Sequence, residues 1–357
     1  MFTPKEMIVT GLDIGSSKVS CVSLLCDGRS MNVAAHATVP SRGVSAGIFT
    51  SLDDVTESAA KALAKVRQKL GKRPENIFVN ISGAGIKAQR SSGMIPLASR
   101  GREVAPGDIQ RVIEASGIVT VPMDREIIHR IVHRFSVDGE NFIKDPTGLH
   151  SARLSCDAYL VTAPVNQIHD IQKCVNDAGY ELKEVVFTGI ADSLSVFDKE
   201  DREGWTALVD VGHSITELSI FSDGYLERMD VLPFGTVNLG GGFREDPVAD
   251  EVFAGISSQI RQSGESGTKI NSVIVTGGAA YIDGFMDFIE SRLSRPAKIG
   301  SLKDVTGNIT SSESVRALTA IGLARYGAEK LYARKRELQS PIRNISSKVV
   351  DLLNNYF

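Results

Sequence analysis

The sequence predicts an α/β fold built from two related halves, and three stretches predict it. Gly11-Leu12-Asp13-Ile14-Gly15-Ser16-Ser17-Lys18 ends an apolar run near the start of the chain. Val209-Asp210-Val211-Gly212-His213-Ser214 repeats that outline far downstream. Each copy sets an Asp at a strand end, then a Gly-bearing turn, then a second apolar strand (Val19–Leu25; Ile215–Phe221). The third stretch is Val273-Ile274-Val275-Thr276-Gly277-Gly278-Ala279-Ala280-Tyr281-Ile282-Asp283-Gly284-Phe285, a strand running into paired glycines and then a helix expected near Ile282. Backbone N–H groups in the two turns can cradle phosphates, and each Asp can hold Mg2+ through water. Paired glycines let backbone approach a flat ring, as an adenine pocket requires. One such hairpin alone is more often a plain turn. No helix follows the glycines directly, so neither copy is a Walker loop or a dinucleotide fingerprint. The repetition carries the reading: two facing copies would grip one nucleotide.

Periodicity supplies the elements in order. Ile8–Ile14, Val19–Leu25 and Met31–Thr38 read as a three-strand meander. Asp53 or Asp54 is expected to cap a helix bearing Val55, Ala59, Leu63, Val66 and Leu70 at helical spacing. Ile77–Ile81 is a strand ending at Gly83. From 84 to 162 a self-contained α+β insert follows: a strand near Ile86–Arg90, an Asp108-capped helix with Ile109, Val112, Ile113 and Ser116, and alternating runs Ile127–Val137 and Ala152–Thr162 around a Pro146–Gly148 turn. Val165–Ala178 restores a helix before the strand Val185-Val186-Phe187. His129 and His133 lie four apart on a strand without an acidic or Cys partner at ligand spacing, so they read as half-exposed sheet residues, not zinc ligands.

Composition narrows the classes. The chain of 357 residues fits two or more domains, with ordinary globular values of 42% hydrophobic and 23% charged residues. A net charge of −3 without a basic stripe argues against nucleic acid as the main partner. Cys21, Cys26, Cys156 and Cys174 form no CxxC pair, which favours reduced thiols in a cytosolic setting. Neither a signal-peptide pattern nor an apolar run of transmembrane length is present.

The three glycine stretches, in this order, resemble the actin-like ATPase superfamily, with its duplicated ribonuclease H-like halves. Further stretches resemble one family within it, the bacterial cell-division FtsA family: Val39-Pro40-Ser41-Arg42-Gly43-Val44-Ser45-Ala46-Gly47-Ile48, Asn80-Ile81-Ser82-Gly83, Ser92-Gly93-Met94-Ile95-Pro96, Asp145-Pro146-Thr147-Gly148-Leu149 and Cys174-Val175-Asn176-Asp177-Ala178-Gly179-Tyr180. The likeness is specific up to about Trp205 and patchy beyond. It implies this layout: a first half over 1–83 and 163–200, an inserted FtsA-type subdomain over 84–162 making filament and partner contacts, and a second half over 205–315. A closing helix (316–327), a charged linker (328–340) and an amphipathic helix (341–357) complete it. It implies ATP and Mg2+ as ligands, with Asp13, Gly15, Ser16, Ser17, Lys18, Asp210, Gly212, His213, Ser214, Gly277, Gly278 and Ala279 at the nucleotide, and Asp13 and Asp210 at the metal.

The chain also departs from that family. Thr188-Gly189 stands where relatives commonly carry Glu–Pro, whose Glu orients the attacking water. Thr188 can hydrogen-bond a water but cannot act as a carboxylate; Asp192, one helical turn on, is the candidate substitute. His213, Ser214 and Ile215 replace the glycines and Thr of the second loop, which is expected to crowd the phosphates; alternatively His213 donates to a phosphate oxygen. Lys18 is the candidate phosphate-reaching cation. The lobe normally inserted after Phe234 is cut, over about 236–268, to Gly240-Gly241-Gly242 and one helix near Pro247–Gln262 capped by Asp246. These departures imply weak nucleotide binding, slow or absent hydrolysis, and doubt over docking of the tubulin-like ring protein FtsZ.

At the tail, Ser340-Pro341 is a helix-start signal, and Ile342, Ile345, Val349, Leu352, Leu353, Tyr356 and Phe357 recur at helical spacing. Such a helix lies in a membrane interface. Five large apolar side chains are worth roughly 7–15 kcal/mol before ordering costs, so one helix binds reversibly and a filament of linked copies binds tightly. The favoured reading is a peripheral adaptor on the cytoplasmic side of the cell membrane that self-associates into filaments. The alternatives are a PilM-like scaffold of type IV pilus assembly and a sugar kinase, for which no convincing catalytic Asp is found.

Overall fold

The computed structural model describes residues 6–238, 247–263 and 270–339. In chain order these begin with β1 (Met7–Ile14), β2 (Lys18–Cys26), β3 (Met31–Pro40), a small hairpin of β4 (Val44–Ser45) and β5 (Ile48–Phe49), α1 (Leu52–Leu70) and β6 (Ile77–Ile81). Next come β7 (Lys87–Pro96), β8 (Arg102–Glu103), α2 (Pro106–Ser116), β9 (Arg125–Val137), β10 (Glu140–Ile143), β11 (His150–Ser151) and β12 (Arg153–Pro164). Then follow α3 (Val165–Asp177), β13 (Leu182–Phe187), α4 (Thr188–Val196), β14 (Trp205–Val211), β15 (Thr216–Ser222), β16 (Tyr225–Leu232) and α5 (Pro247–Ser263). The described chain closes with β17 (Ile270–Thr276), α6 (Phe285–Leu293), β18 (Lys298–Ile299), β19 (Thr306–Gly307), α7 (Ser311–Arg316) and α8 (Leu318–Gln339). Two compact units result: Met1–Ile86 with Pro164–Ala328, and Lys87–Ala163 with Glu329–Phe357.

The first unit contains the duplication. Its six-stranded sheet runs β13-β6-β1-β2-β3-β19 and its five-stranded sheet β16-β15-β14-β17-β18. In each, an antiparallel meander starts with the Asp-bearing strand, and a parallel strand flanks that strand on its other side: β6 beside β1, β17 beside β14. Parallel strands buried on both faces need continuous apolar runs, and β1, β6 and β17 supply them. The second sheet is covered by α5 and α6, where the Phe253 ring meets Phe234, Phe285 and Phe288 edge to face at 5.9, 5.8 and 5.5 Å. Glycines let α8 sit unusually close to the first half. A Cβ on Gly11 would lie 1.9 Å from the Ala320 carbonyl oxygen, and one on Gly322 would lie 1.8 Å from that of Ala191.

The second unit is a four-stranded sheet, β10-β9-β12-β7, with α2 packed on β7 and a β11–β8 pair beside it. Its core joins Ile109 and Val112 of α2 to Val132, Phe135, Leu154 and Leu160 of the sheet.

Several boundaries differ from the sequence reading for identifiable reasons. Ser51, with extended φ, is the N-cap of α1, so Asp53 and Asp54 are first-turn acids instead. Ala105 precedes α2 and Pro106 starts it; Asp108 reaches back from the third position to accept the Ala105 N–H at 2.9 Å and binds Arg102 through both oxygens. The glycine pair leads into a single 3₁₀ turn (Gly278–Tyr281), and α6 waits until Phe285, after Gly284 in the left-handed region. Residues 328–339, expected as a linker, continue α8; Ala, Leu, Arg, Lys and Glu are strong helix formers, and Ala328 and Tyr332 are buried. His129 is buried, not half-exposed, and burial followed by the Lys330 charge pushes its pKa down to about 3, so it is a neutral core residue. The Gly240–Gly242 bend, the Asp246 cap and the tail residues 341–357 lie outside the described residues.

Gly322→Ala is expected to cost about 3 kcal/mol or more, because backbone on both sides cannot yield. Gly255→Ala, on an exposed turn of α5 with no atom within 4 Å of the added Cβ, is expected to stabilise by about 0.5–1 kcal/mol. Urea unfolding of both variants checks the contrast.

Candidate functional site

Both Asp hairpins of the first unit open onto one cleft of about 520 Å³. Their turns are superimposable in hydrogen bonding: Gly15 N–H donates to the Lys18 carbonyl at 3.0 Å, and Gly212 N–H to the Ile215 carbonyl at 3.0 Å. A side chain at either glycine would press on that same carbonyl, at 3.2 and 3.1 Å. Each hairpin is also braced from its parallel neighbour. Ile14 N–H donates to Asn80 Oδ1 of β6 at 2.7 Å, and the Thr276 hydroxyl of β17 donates to Asp210 Oδ1 at 3.2 Å. Gly277, at φ 84°, lies against Asp210: a Cβ there would sit 2.5 Å from Asp210 Oδ1 and 2.2 Å from the Val211 carbonyl oxygen.

The cleft brings together Asp13, Gly15, Ser16, Ser17, Lys18, Thr188, Asp192, Asp210, Gly212, His213, Ser214, Gly277 and Gly278. Ala279 does not join them; it is fully buried in the core of the second half, beneath the glycine turn. The substituted second loop keeps its shape because the chain after β16 clamps it. Thr236 N–H donates to the Gly212 carbonyl and Val237 N–H to the His213 carbonyl, both at 2.9 Å. Gly235 passes so close that a Cβ would meet the His213 carbonyl at 2.4 Å. His213 lines the cleft with its Nδ1 3.1 Å from the Thr236 hydroxyl.

Charge dominates the interior. Asp13, Asp192, Asp210 and Glu217 all line the cleft. Burial raises Asp13 to about 6, with Lys18 opposing and Asp210 adding to the rise. Burial, then Asp210, raises Glu217 to about 8. Asp192 is pushed well above the carboxylate range by burial and then Asp210, against the Thr319 hydroxyl that donates to its Oδ1 at 2.7 Å. Asp210 is raised by burial, with Thr276 and Lys18 opposing. Asp192 Oδ2 and Glu217 Oε1 are buried without a hydrogen-bond partner among the described residues. Lys18 Nζ donates to the Arg316 carbonyl at the end of α7, which Ser20 Oγ also reaches at 2.9 Å. Thr188 donates to the Ile81 carbonyl at 3.4 Å.

Glu217 was missed by the sequence reading, yet the register supplies a signal. It pairs across the hairpin with Asp210, as Ser20 pairs with Asp13, so the two halves differ by a carboxylate at one repeated position.

A duplicated meander with facing Asp hairpins and a glycine-paired turn defines a protein of the actin-like ATPase fold. Within that fold the chain is similar to the FtsA family of cell division proteins. Residues 83–162 match the family described as the SHS2 domain inserted in FtsA. The chain is similar to cell division protein FtsA of Pseudomonas aeruginosa, 26% identical over 377 residues covering 90% of each chain. It is also similar to that of Borreliella burgdorferi, 26% identical over 396 residues covering 96% of this chain and 94% of the relative. Both alignments are longer than the 357 residues of this chain, so these relatives carry residues without a counterpart here. Among solved structures, the PilM-PilN type IV pilus biogenesis complex shares the fold at a TM-score of 0.63 and 14% identity, covering 90% of this chain and 98% of that one.

A carboxyl whose pKa is higher folded than unfolded binds more protons when folded, so stability falls as pH rises between the two values. For Glu217 that window runs from 4.5 to about 8, and for Asp13 from 3.8 to about 6. Without nucleotide or divalent cation, Tm is expected to drop from pH 5 to 8. Glu217→Gln should flatten the part above pH 6, where scanning calorimetry would show equal slopes if the assignment were wrong.

Proposed function

We propose that this chain is a membrane-tethered cell-division adaptor of FtsA type, in which Mg-ATP sets conformation more than it is turned over. The similarity to cell division protein FtsA over nine-tenths of the chain carries this reading. ATP would lie with its phosphates between the two hairpins. Its Mg2+ would be held by Asp13 and Asp210 through water, supplying the positive charge that four buried carboxyls lack. The orphaned oxygens of Asp192 and Glu217 fit such a cation and its water shell. Lys18 would exchange the Arg316 carbonyl for a phosphate oxygen.

Two observations favour weak binding and slow hydrolysis. Between β16 and β17 the described residues form a short 3₁₀ turn and one long helix, α5, which favours a small second lobe on the adenine side. Thr188 supplies a hydroxyl, which cannot act as a carboxylate base, and Asp192 already spends one oxygen on Thr319. Filament contacts, association with an FtsZ-like ring and attachment by residues 341–357 complete the proposal. No helix among the described residues is long and apolar enough to cross a membrane, which suits attachment by an interfacial helix.

Liposome sedimentation tests the tether. The full chain should pellet with vesicles and a chain ending at Ser340 should stay in the supernatant; equal behaviour would remove the membrane part of the reading. Calorimetric titration tests the cleft. Mg-ATP is expected to bind with a Kd above roughly 10 μM, weaker than about −7 kcal/mol. A nanomolar Kd would overturn the account of the small second lobe.

A further inference from the structure

We infer that His213 is a phosphate ligand, its imidazole doing by side chain what a glycine backbone does in the first hairpin, with Thr236 as its positioning residue. The inference rests on the nucleotide reading of the cleft and concerns how the second hairpin holds the phosphates.

Four observations carry it. His213 and Thr236 both line the cleft, and Thr236 Oγ1 lies 3.1 Å from His213 Nδ1. When the Thr236 hydroxyl donates to Nδ1, the imidazole hydrogen sits on Nε2, the one ring nitrogen left to donate to a ligand. The backbone that carries the ring is fixed, with the Gly212 and His213 carbonyls each accepting an N–H from the chain after Gly235 at 2.9 Å. A ring held at both its backbone and Nδ1 loses little freedom on binding. Finally, the cleft needs donors. Its four carboxyls offer an anion no cationic partner, and among its lining residues the cationic groups are Lys18, already committed to a carbonyl, and Arg316. Each hairpin then contributes one basic side chain, Lys18 from the first and His213 from the second.

The opposing view, that His213 is merely a bulky intruder in a glycine loop, predicts the reverse outcome for one substitution, which makes the test sharp. Titrations of the full-length chain with Mg-ATP, Mg-ADP and adenosine would be compared across variants. If the imidazole binds phosphate, His213→Gly and His213→Ala each weaken Mg-ATP about tenfold and leave adenosine unchanged. Thr236→Val weakens Mg-ATP several-fold, and Thr236→Ser, which keeps the hydroxyl, restores it. Tighter or equal Mg-ATP binding by His213→Gly overturns the inference while leaving the nucleotide reading intact. Equal losses for adenosine and Mg-ATP also overturn it, since the effect would then be structural. If the unmodified chain binds none of the three, the nucleotide reading and this inference fall together.

Discussion

The cleft buries more carboxyls than the protein itself pairs, and much of the architecture answers to that imbalance. Asp13, Asp192, Asp210 and Glu217 share a space where burial opposes ionisation of each, and Lys18 counters the rise at both hairpin aspartates. Desolvated carboxyls of this kind survive in folded proteins when they share protons or meet an external cation. The hydroxyls around them, from Thr276 and Thr319, each stabilise one oxygen and leave others unsatisfied. An unfilled electrostatic demand on a rigid frame is what a magnesium-bearing polyphosphate would meet.

That frame is rigid because both halves solve the same backbone problem in the same way. A strand bearing Asp must turn back within a few residues, and in both hairpins a glycine N–H closes the turn onto a carbonyl. The second half carries His213 and Ile215 where the first has Ser16 and Lys18, without changing this bond. Compensation comes from outside the loop, where the segment Phe234–Val237 grips it through backbone and forces glycine at position 235.

The duplication, the inserted α+β segment and most strands were legible because each rests on local pattern: apolar runs, alternation and glycine turns. Residue 217 was not, since a Glu inside an apolar strand looks like an outward-facing charge until pairing places it opposite Asp210. His129 failed in the same way; alternation assigns a face, whereas tertiary packing decides whether that face sees water, and here it is buried. The charged stretch after Ala328 misled because charge was taken as a sign of irregular chain, although its residues are strong helix formers. Helix starts were misplaced by two or three residues where acids near the first turn competed with the true cap.

All four cysteines are buried and unbridged, and burial raises the thiols of Cys156 and Cys174 to about 11 and that of Cys21 further still. Thiolate is the reactive form, so these sulfurs are chemically quiet at neutral pH. A cysteine introduced on the surface would then be the sole fast-reacting thiol among the described residues. Attached dyes or spin labels could follow opening of the halves without first stripping the native sulfurs from the core.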